Sequence, residues 1–516
     1  MRRGSVMARR EVSESSGRSA EATRSSESTG AGAAIGRRTV LAGAALAVPA
    51  VTMMVSTPAW AASGESITLS APAMCVPASG GGRVTALVKD AANQPLSGTA
   101  VSFSGPSGAS FSPSSSTTSG AGEATTQLDL GTPWATPGST VTVTAVTATA
   151  STSMAFTVSG SNLLMAGRDN PPTLTQSALA FPSPVVDAVG SGWENKTPSF
   201  LALLADGTVW AKGGSDFGQL GDGTTTSRFD WLPVPGLSGV TQIAAAANSS
   251  YALLSDGSVR AWGRNAYGEL GIGSTTDQLS PVAVPALTSG VTRIAAGAGH
   301  VLALLSDGSV RAWGYNGPGQ VGDGTTTDRW TPVQVLGLRA RATAVAAGSF
   351  ASYAILSDGS VMAWGYNGYG ELGIGTTDDQ WSPVAVSGLT SNVVQIAGGA
   401  FSAYALLSDG SVKAWGSNGD GQLGDGSGTD QTTPVPVSGL NSGVTQIAAG
   451  VLSGYALSTD GRVRAWGSND IGQLGDGSAA NQRTPVVVPL PSGRQAQRLG
   501  AISTGCKTVL ILTKTS

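Results

Sequence analysis

One stretch of the chain, DGSVRAWGRNAYGELG from Asp256 to Gly271, recurs along the C-terminal two thirds of the sequence. The opening aspartates of the copies, including a degraded one at the start, are Asp206, Asp256, Asp307, Asp358, Asp409 and Asp460. Successive copies begin 50, 51, 51, 51 and 51 residues apart. A fixed period of this length is typical of a propeller, a solenoid or another stacked array. The period therefore constrains the fold before any other feature does.

Each unit reads as four β-strands, named A to D. The IAAG run (Ile294 to Gly297) is strand A, the YALLS or LALLS run is strand B, VRAW is strand C, and the Pro281-Val282 segment is strand D. The Asp-Gly between strands B and C predicts a two-residue hairpin, because glycine adopts the positive φ that such a turn needs. Small residues in strand A suit the crowded axis of a propeller, and a large residue in strand C fills the widening space between sheets. The tryptophans expected in this core are Trp262, Trp313, Trp364, Trp415 and Trp466.

A seventh, diverged unit joins the two ends of the repeat region. LLMAGRDN from Leu163 aligns with VRAWGSND, and SFLALLADG from Ser199 aligns with YALLSDG. The units therefore run in the order C, D, A, B, and the last blade must combine strands from both ends. We expect Gly500–Leu512 to supply its strands A and B, and Leu163–Val185 its strands C and D. Such closure leaves no free sheet edge between the first and last units.

The motifs DGxVxAWGxNxxGQLG and IAAGxxHxLAL resemble the regulator of chromosome condensation repeat family over about 350 residues. The resemblance implies a seven-bladed β-propeller. Members of that family include a nuclear guanine-nucleotide exchange factor, a plant ultraviolet photoreceptor and secreted bacterial inhibitors of β-lactamase. Because one fold hosts many functions, the resemblance implies the fold and leaves the activity open.

Residues 63–158 alternate apolar and polar side chains in short runs such as RVTALVKD, EATTQLDL and STVTVTAV. This pattern, with Gly, Pro, Asn or Ser between the runs, predicts an antiparallel β-sandwich. The segment resembles bacterial immunoglobulin-like domains, which act as spacers or adhesive modules, and it lacks the Cys–Trp–Cys core of antibody domains. The whole chain is thus expected to be all-β, with a leader at 1–61, the sandwich at 62–160 and the propeller at 161–516.

The N-terminal segment has the pattern of an export signal. Arg37 and Arg38 precede an uncharged run from Val40 to Val55, and Ala59-Trp60-Ala61 has the small residues that signal peptidase reads. The pattern resembles a twin-arginine signal and predicts cleavage near Ala62. An ordinary Sec signal or an uncleaved anchor remains an alternative. The mature protein is expected to be secreted or at the cell surface.

Charge and cysteine content narrow the class of partner. A net charge of −3 offers no basic surface for a phosphate backbone, so nucleic acid is not an expected partner. The two cysteines, Cys75 and Cys506, stand at opposite ends of the mature chain and cannot form a disulfide framework within one domain. We expect a monomer that has no membrane contact after signal removal.

Few residues offer catalytic chemistry. His300 is the only histidine, so any Ser–His–Asp triad would depend on this one ring, which falls at a position expected to be structural. Glu269 and Glu371 stand where other units carry glutamine, which indicates turn residues. The GDGTTTD stretch at Gly322 lacks the spacing of a calcium loop. The sequence therefore predicts a protein that is not an enzyme, with no catalytic residue, metal site or cofactor.

A binding face is predicted from the topology of the blades. In an up-and-down blade the A–B and C–D loops emerge on one face and the B–C turns and D–A links on the other. Variation between copies collects in the A–B and C–D loops, and its mixture of aromatic and charged residues suits a protein or sugar contact surface. Drift of unselected loop residues is the other interpretation. The candidates are Glu194, Asn248, Arg264, Tyr267, His300, Tyr315, Phe350, Tyr366, Tyr369, Phe401, Asp420, Asp470 and Lys507.

Three functions follow from this reading. The first is a secreted binding protein whose partner is an extracellular protein, including the possibility that it inhibits an extracellular hydrolase. The second is an adhesin for cell-wall polysaccharide, with the immunoglobulin-like domain as its stalk. The third, a regulator resembling guanine-nucleotide exchange factors, is the weakest, because an exported protein does not meet small GTPases.

Overall fold

A computed structural model gives the structure of residues 66–70, 82–90, 92–104, 110–129, 140–148, 151–157, 162–167, 174–176, 181, 183–192, 197–491, 494–502 and 507–515. All regular secondary structure in these residues is β, in 37 strands. No helix capable of crossing a membrane occurs in these ranges. The predicted leader, with its signal and cleavage site, and both cysteines, Cys75 and Cys506, lie outside them.

Two four-stranded antiparallel sheets form between residues 66 and 157. Their strands are β1 (Ser66–Ser70), β2 (Gly82–Lys89), β3 (Ala100–Ser104), β4 (Ser110–Ser112), β5 (Ser115–Thr117), β6 (Glu123–Asp129), β7 (Thr140–Val146) and β8 (Ser151–Thr157). The sheet orders are β1-β2-β6-β4 and β5-β3-β7-β8. Val101 and Phe103 are buried between exposed neighbours in β3, so the expected alternation is present there. The likeness to immunoglobulin-like domains and the boundaries at 61 and 160 stay predictions.

Seven further sheets hold the repeats, each a blade of strands A to D. Blade 1 has β11 (Val185–Ser191), β12 (Ser199–Leu204), β13 (Val209–Gly213) and β14 (Arg228–Pro233), after β9 (Leu163–Gly167) and β10 (Thr175–Gln176). Blade 2 has β15 (Val240–Ala245), β16 (Ser249–Leu254), β17 (Val259–Gly263) and β18 (Gln278–Ala283). Blade 3 has β19 (Val291–Ala296), β20 (His300–Leu305), β21 (Val310–Gly314) and β22 (Arg329–Gln334). Blade 4 has β23 (Ala342–Ala347), β24 (Ala351–Leu356), β25 (Val361–Gly365) and β26 (Gln380–Ala385).

The remaining blades complete the ring. Blade 5 has β27 (Val393–Gly398), β28 (Ser402–Leu407), β29 (Val412–Gly416) and β30 (Gln431–Pro436). Blade 6 has β31 (Val444–Ala449), β32 (Ser453–Ser458), β33 (Val463–Gly467) and β34 (Gln482–Val488). The last strands of the chain are β35 (Arg494–Leu499), β36 (Ala501–Ile502) and β37 (Thr508–Thr515). Strand A of each blade contacts strand A of the next, and β36 and β37 contact β11, so the ring is closed.

Blade 7 confirms the predicted closure and corrects its strand limits. Its sheet order is β10-β9-β37-β35, with β9 and β10 from the start of the repeat region and β35 and β37 from its end. Strand A is Arg494–Leu499, whereas the alignment placed its start at Gly500. Val185 begins strand A of blade 1 and does not end blade 7. Ala501 and Ile502 form β36, which pairs in parallel with β11 and adds a fifth strand to blade 1.

The B–C turns also differ from the prediction. In blade 2, the Leu254 N–H donates to the Ser258 carbonyl oxygen at 2.9 Å, which leaves three residues in the loop where two were predicted. Gly257 ends the loop with a φ of 78°. The Asp256 carboxylate accepts from the Ser258 N–H at 2.9 Å and fixes the turn. This is the three-residue hairpin in which glycine occupies the left-handed position.

The strand C tryptophans are buried between blades, as predicted. All five are fully buried. The Trp313 indole N–H donates to the Glu269 carbonyl oxygen in blade 2 at 2.8 Å, and the Trp364 N–H donates to the Gln320 carbonyl oxygen in blade 3 at 2.9 Å. Each ring thus joins its blade to the preceding one. The small residues of strand A line a central cavity of about 240 Å³, also as predicted.

Candidate functional site

Backbone hydrogen bonds place the loops on two faces. The Tyr315 N–H donates to the Gly299 carbonyl oxygen at 2.8 Å, which holds the C–D loop of blade 3 against its A–B loop. The Ser306 N–H donates to the Gly290 carbonyl oxygen at 2.9 Å, which holds a B–C turn against a D–A link. We call the surface of A–B and C–D loops the loop face and the opposite surface the turn face. The predicted grouping of loops is therefore present.

A buried asparagine shapes the C–D loop in blades 2 to 6. Asn316 is fully buried, and its carboxamide oxygen accepts from the Val321 N–H at 2.9 Å. Its Nδ2 donates to the Thr327 carbonyl oxygen at 3.0 Å, and its own N–H donates to the Asp328 carboxylate at 2.8 Å. One side chain thereby ties the two ends of the loop together. Asparagines at the same position of other blades are Asn265, Asn367, Asn418 and Asn469.

In blades 1, 2, 4, 5 and 6 the side chain of the residue before Leu-Gly accepts a hydrogen bond from the backbone of the loop tip. The Glu371 carboxylate accepts from the Tyr369 N–H at 2.9 Å, and the Glu269 carboxylate accepts from the Tyr267 N–H at 2.7 Å. Both glutamates are turn residues, as predicted. Burial raises the pKa of Glu371 to about 8 and also raises the pKa of Glu269.

Blade 3 lacks this support because residue 318 is proline, which has no N–H to donate. The Gln320 side chain is fully buried there. Neither atom of its carboxamide has a hydrogen-bond partner within the described part of the chain. The substitution of a single loop residue, Pro318, thus leaves a buried polar group unsatisfied in blade 3.

Aromatic side chains meet across the blade boundaries on the loop face. The Arg264 guanidinium lies 5.7 Å from the centre of the Phe217 ring and 5.0 Å from that of Tyr267. The Tyr267 and Tyr315 ring centres are 5.1 Å apart, and the Tyr315 and Phe350 ring centres are 6.1 Å apart. These contacts run without a break from blade 1 to blade 4. All five side chains are partly exposed.

A second cluster continues the same line into blade 5. The ring centres of Tyr369 and Phe401 are 5.1 Å apart, and Tyr366 lies 6.1 Å from Phe401 and 6.4 Å from Tyr369. The Tyr366 N–H donates to the Phe350 carbonyl oxygen at 2.9 Å, which joins the two clusters. We call the combined surface the aromatic band. It consists of Phe217, Arg264, Tyr267, Tyr315, Phe350, Tyr366, Tyr369 and Phe401.

The loop face becomes polar from blade 5 to blade 7. The Lys507 ammonium lies 2.9 Å from the Asp470 carboxylate, which also accepts from the Gln473 side chain at 2.9 Å. The Asn481 carboxamide donates to the Asp420 carboxylate at 3.0 Å. Asp420, Asp470 and Lys507 are thus on the predicted face, where Lys507 pairs with Asp470 and Asp420 bonds to Asn481.

His300 is not on the loop face, and its prediction as a binding residue is wrong. The side chain is fully buried at the start of β20, with Nε2 2.9 Å from the Ser352 hydroxyl oxygen. Burial lowers the pKa of His300 to about 3, so the ring is neutral at physiological pH. The structural interpretation of this residue is supported. Asn248 lies in the A–B loop of blade 2, where its carbonyl oxygen accepts from the Arg264 N–H at 3.0 Å. Glu194 lies outside the described residues.

Sequence reasoning missed three aromatic residues near the loop face. Phe217 belongs to the same alignment column as Tyr267 and Tyr369, and that column is the signal that could have found it. Trp330 and Trp381 are 51% and 53% exposed in strand D, unlike the buried tryptophans of strand C. Trp330 packs over Gly268, where a Cβ atom would come within 2.4 Å of the indole. These tryptophans extend the apolar surface from the loop tips onto the outer strands.

Comparison with known proteins identifies the family. The RCC1-like domain family matches residues 115–392 and 184–511. These matches cover more than half of the chain, and the protein belongs to this family. The resemblance to the repeat family is therefore confirmed.

Two relatives show how much of a larger protein the match represents. The ultraviolet-B receptor UVR8 of Arabidopsis thaliana is 34% identical over 309 residues, which is 59% of this chain and 58% of the receptor. The probable E3 ubiquitin-protein ligase HERC4 of Homo sapiens is 35% identical over 203 residues, which is 38% of this chain and 19% of the ligase. The chain therefore spans less than two thirds of these relatives.

Solved structures show the same fold. Yeast RCC1 (Prp20), in its complex with Kap60, has a TM-score of 0.60 and 20% identity, covering 69% of this chain and 89% of that chain. Human WBSCR16 has a TM-score of 0.58 and 23% identity, covering 67% of this chain and 89% of that chain. At these identities the likeness is one of architecture, an all-β ring of repeated four-stranded sheets.

Proposed function

We propose that the protein is a non-enzymatic binding protein that holds a partner protein against the aromatic band of its loop face. The observation that carries the proposal is the band itself, in which eight partly exposed side chains from five blades form two contact clusters that a backbone hydrogen bond joins. Tyrosine and arginine are enriched where protein interfaces bind most strongly. Mutual ring contacts also restrict these side chains before binding, which lowers the entropy lost when a partner arrives.

The chemistry of the band favours binding over catalysis. Its members are phenyl and phenol rings and one guanidinium, so the band has no carboxylate or imidazole to accept a proton at neutral pH. The carboxylates of Glu269 and Glu371 are buried under the loop tips, where they accept hydrogen bonds from backbone N–H groups. His300 is buried and neutral. These features support a surface that binds a partner and does not catalyse a reaction.

The partner we propose is an extracellular protein, and inhibition of an extracellular hydrolase is the form of activity we infer. The leader pattern at Arg37 and Arg38 supports export. Protein partners are also consistent with the relatives, since yeast RCC1 was crystallised with Kap60. A role resembling nucleotide exchange is less favoured, because export would separate the protein from small GTPases.

A cell-wall polysaccharide is the second candidate partner, and Trp330 and Trp381 favour it. Both rings are about half exposed at equivalent positions of adjacent blades. A flat, exposed indole offers an apolar face to the C–H groups of a sugar ring. The two candidates predict different residues, because a protein partner would depend on the aromatic band and a polysaccharide on the outer tryptophans.

The test is capture by the immobilised secreted chain from culture supernatant, with isolated cell wall as a parallel bait. We expect the double variant Tyr366→Ala, Tyr369→Ala to lose a captured protein, with a cost of about 1 to 3 kcal/mol per truncation and an unchanged Tm. Val394→Ala is the matched control, because Val394 is 56% exposed at the turn-face end of β27. Full capture by the folded double variant would remove the band as the site. Loss of cell-wall binding in Trp330→Ala, Trp381→Ala alone would favour the polysaccharide.

A further inference from the structure

The inner edge of each strand A has backbone groups that point into the central cavity. In blade 3, Ile294 is opposite Ala303 of β20, but its N–H and C=O bond to the side chain of Gln242 in blade 2. The Ile294 N–H donates to the Gln242 carboxamide oxygen at 3.0 Å, and the Gln242 carboxamide nitrogen donates to the Ile294 carbonyl oxygen at 2.8 Å. The Ile294 N–H and C=O are therefore turned away from β20 and toward the axis.

The same pair of bonds occurs at two other blade boundaries. Gln395 bonds to Ile447 with distances of 2.8 and 2.9 Å, and Gln446 bonds to Leu499 with distances of 2.9 and 2.9 Å. A primary carboxamide can do this because it has both an N–H donor and a carbonyl acceptor. Three copies in one ring show that this backbone position recognises a carboxamide.

Four of the seven strand A copies have another residue at the glutamine position, and two of these, Arg293 and Ala344, lie in the adjacent blades 3 and 4. Val345 in blade 4 and Ile396 in blade 5 have the same register as Ile294, opposite Ala354 and Ala405. By this register their N–H and C=O groups are turned away from strand B, and no other hydrogen bond to them occurs within the described ranges. The residues in place of glutamine are Arg293 and Ala344. Arginine has no acceptor and alanine has neither group, so neither can make the paired bonds.

Val345 and Ile396, the two backbone positions that no glutamine fills, both line the central cavity. Its volume of about 240 Å³ is large enough for several water molecules or for a group the size of a glutamine side chain. Ala346 and Ala347 beside Val345, and Ala397 beside Ile396, give the wall an apolar surface. Blade 1 differs, because Asp187 occupies its glutamine position and accepts a hydrogen bond from Arg498 at 2.9 Å.

We propose that the central cavity binds a small molecule with a primary carboxamide on a short apolar stem. The carboxamide bonds to the backbone of Val345 or Ile396 as Gln242 bonds to Ile294, and the stem packs on the alanines. A carboxylate cannot donate to the backbone carbonyl, and an ammonium cannot accept from the backbone N–H. The site therefore selects for the amide group and not for charge.

Propionamide is the probe, because it reproduces the glutamine side chain, and propionate is the control of the same shape. Amide resonances of the full secreted chain report the contact in an NMR titration. We expect propionamide to shift the Val345 and Ile396 N–H resonances in a saturable way and propionate to leave both unchanged. Absence of a saturable shift at both residues would overturn the proposal. An equal response to propionate would also overturn it and indicate an anion site beside Arg293.

Two variants separate the site from general effects. Ala344→Gln supplies the missing carboxamide to Ile396, so the Ile396 response should disappear while the Val345 response remains. Gln395→Ala opens the Ile447 position, so the Tm should fall, propionamide should restore part of it, and a new response should appear at Ile447. Persistence of the Ile396 response in folded Ala344→Gln contradicts the proposal. If Ala344→Gln does not fold, the presence or absence of the Ile447 response in Gln395→Ala decides the question.

Discussion

Replacement of Glu371 by glutamine should stabilise the propeller at neutral pH. Glu371 is 1% exposed; one carboxylate oxygen accepts from the Tyr369 N–H, and the other has no hydrogen-bond partner in the described residues. Burial is the main reason that its pKa rises from 4.5 to about 8, and the Asp379 and Asp430 carboxylates add to the rise. Backbone hydrogen bonds oppose the rise without cancelling it. The folded protein therefore holds this proton at pH 7, and the unfolded chain releases it.

The sign and size of the effect follow from proton linkage. A carboxyl whose pKa is raised on folding contributes to the stability of the folded state. The contribution is complete below pH 4.5 and is lost as the pH rises toward 8. At 1.36 kcal/mol per pKa unit, the loss reaches about 3 kcal/mol at pH 7 and about 5 kcal/mol above pH 8. Glutamine keeps the acceptor for Tyr369 and cannot ionise. Glu371→Gln should thus equal the native protein near pH 4 and exceed its stability by about 3 kcal/mol at pH 7.

Denaturant unfolding from pH 4 to pH 9 measures this difference. The matched control is Gln422→Glu, which places a carboxyl at the equivalent buried site of blade 5, where Gln422 accepts from the Asp420 N–H at 2.9 Å. That variant should acquire the pH dependence that Glu371→Gln loses. A stability difference between native protein and Glu371→Gln that is constant across the pH range would refute the reasoning, because it would show that Glu371 does not titrate on unfolding.

Three further predictions concern packing. Trp364→Ala should cost about 3 to 5 kcal/mol, since it removes a fully buried ring and its bond to blade 3; thermal unfolding measures the loss. Deletion of residues 506–516 should lower the Tm, because it removes β37, which pairs with both β9 and β35. An unchanged Tm would contradict the assigned closure of the ring. Gly268→Ala should destabilise more than Gly388→Ala in the same assay. Both glycines have positive φ, at 73° and 69°, but only Gly268 would place its Cβ against Trp330, while Gly388 has nothing within 4 Å. Equal losses would exclude the contact as the cause.

The repeat period was sufficient to predict the blades, the buried tryptophans and the closure of the ring. A period of 51 residues aligns each strand with its copies, so the properties of one unit transfer to the others. The alignment failed where the copies diverge. In RLGAISTG the alignment began strand A at Gly500, but Ala501 and Ile502 form β36 in the neighbouring blade, a pairing that no local pattern predicts.

The candidate site was only partly predictable, because its defining contacts join residues from different copies. Tyr315 and Phe350 were both expected on the loop face, but their ring contact depends on the angle between blades 3 and 4. The burial of His300 depends on Ser352 in the next blade. The backbone positions at Val345 and Ile396 can be recognised only by comparison with the three that glutamine fills. That comparison requires knowing which edge of strand A faces the axis.

The closure of blade 7 has a consequence for the order of events during synthesis. β9 is apolar and buried at all five residues in the finished blade, yet its partner β37 is more than 300 residues away along the chain. Thr513 and Asn162, which hydrogen-bond at the end of this pairing, are 351 residues apart. At about 5 to 20 residues per second, a ribosome needs roughly 20 to 70 s to cover that distance. Until β37 is synthesised, nothing covers the edge of β9 that it later pairs with, so the nascent chain presents an aggregation-prone strand at the place where the ring closes.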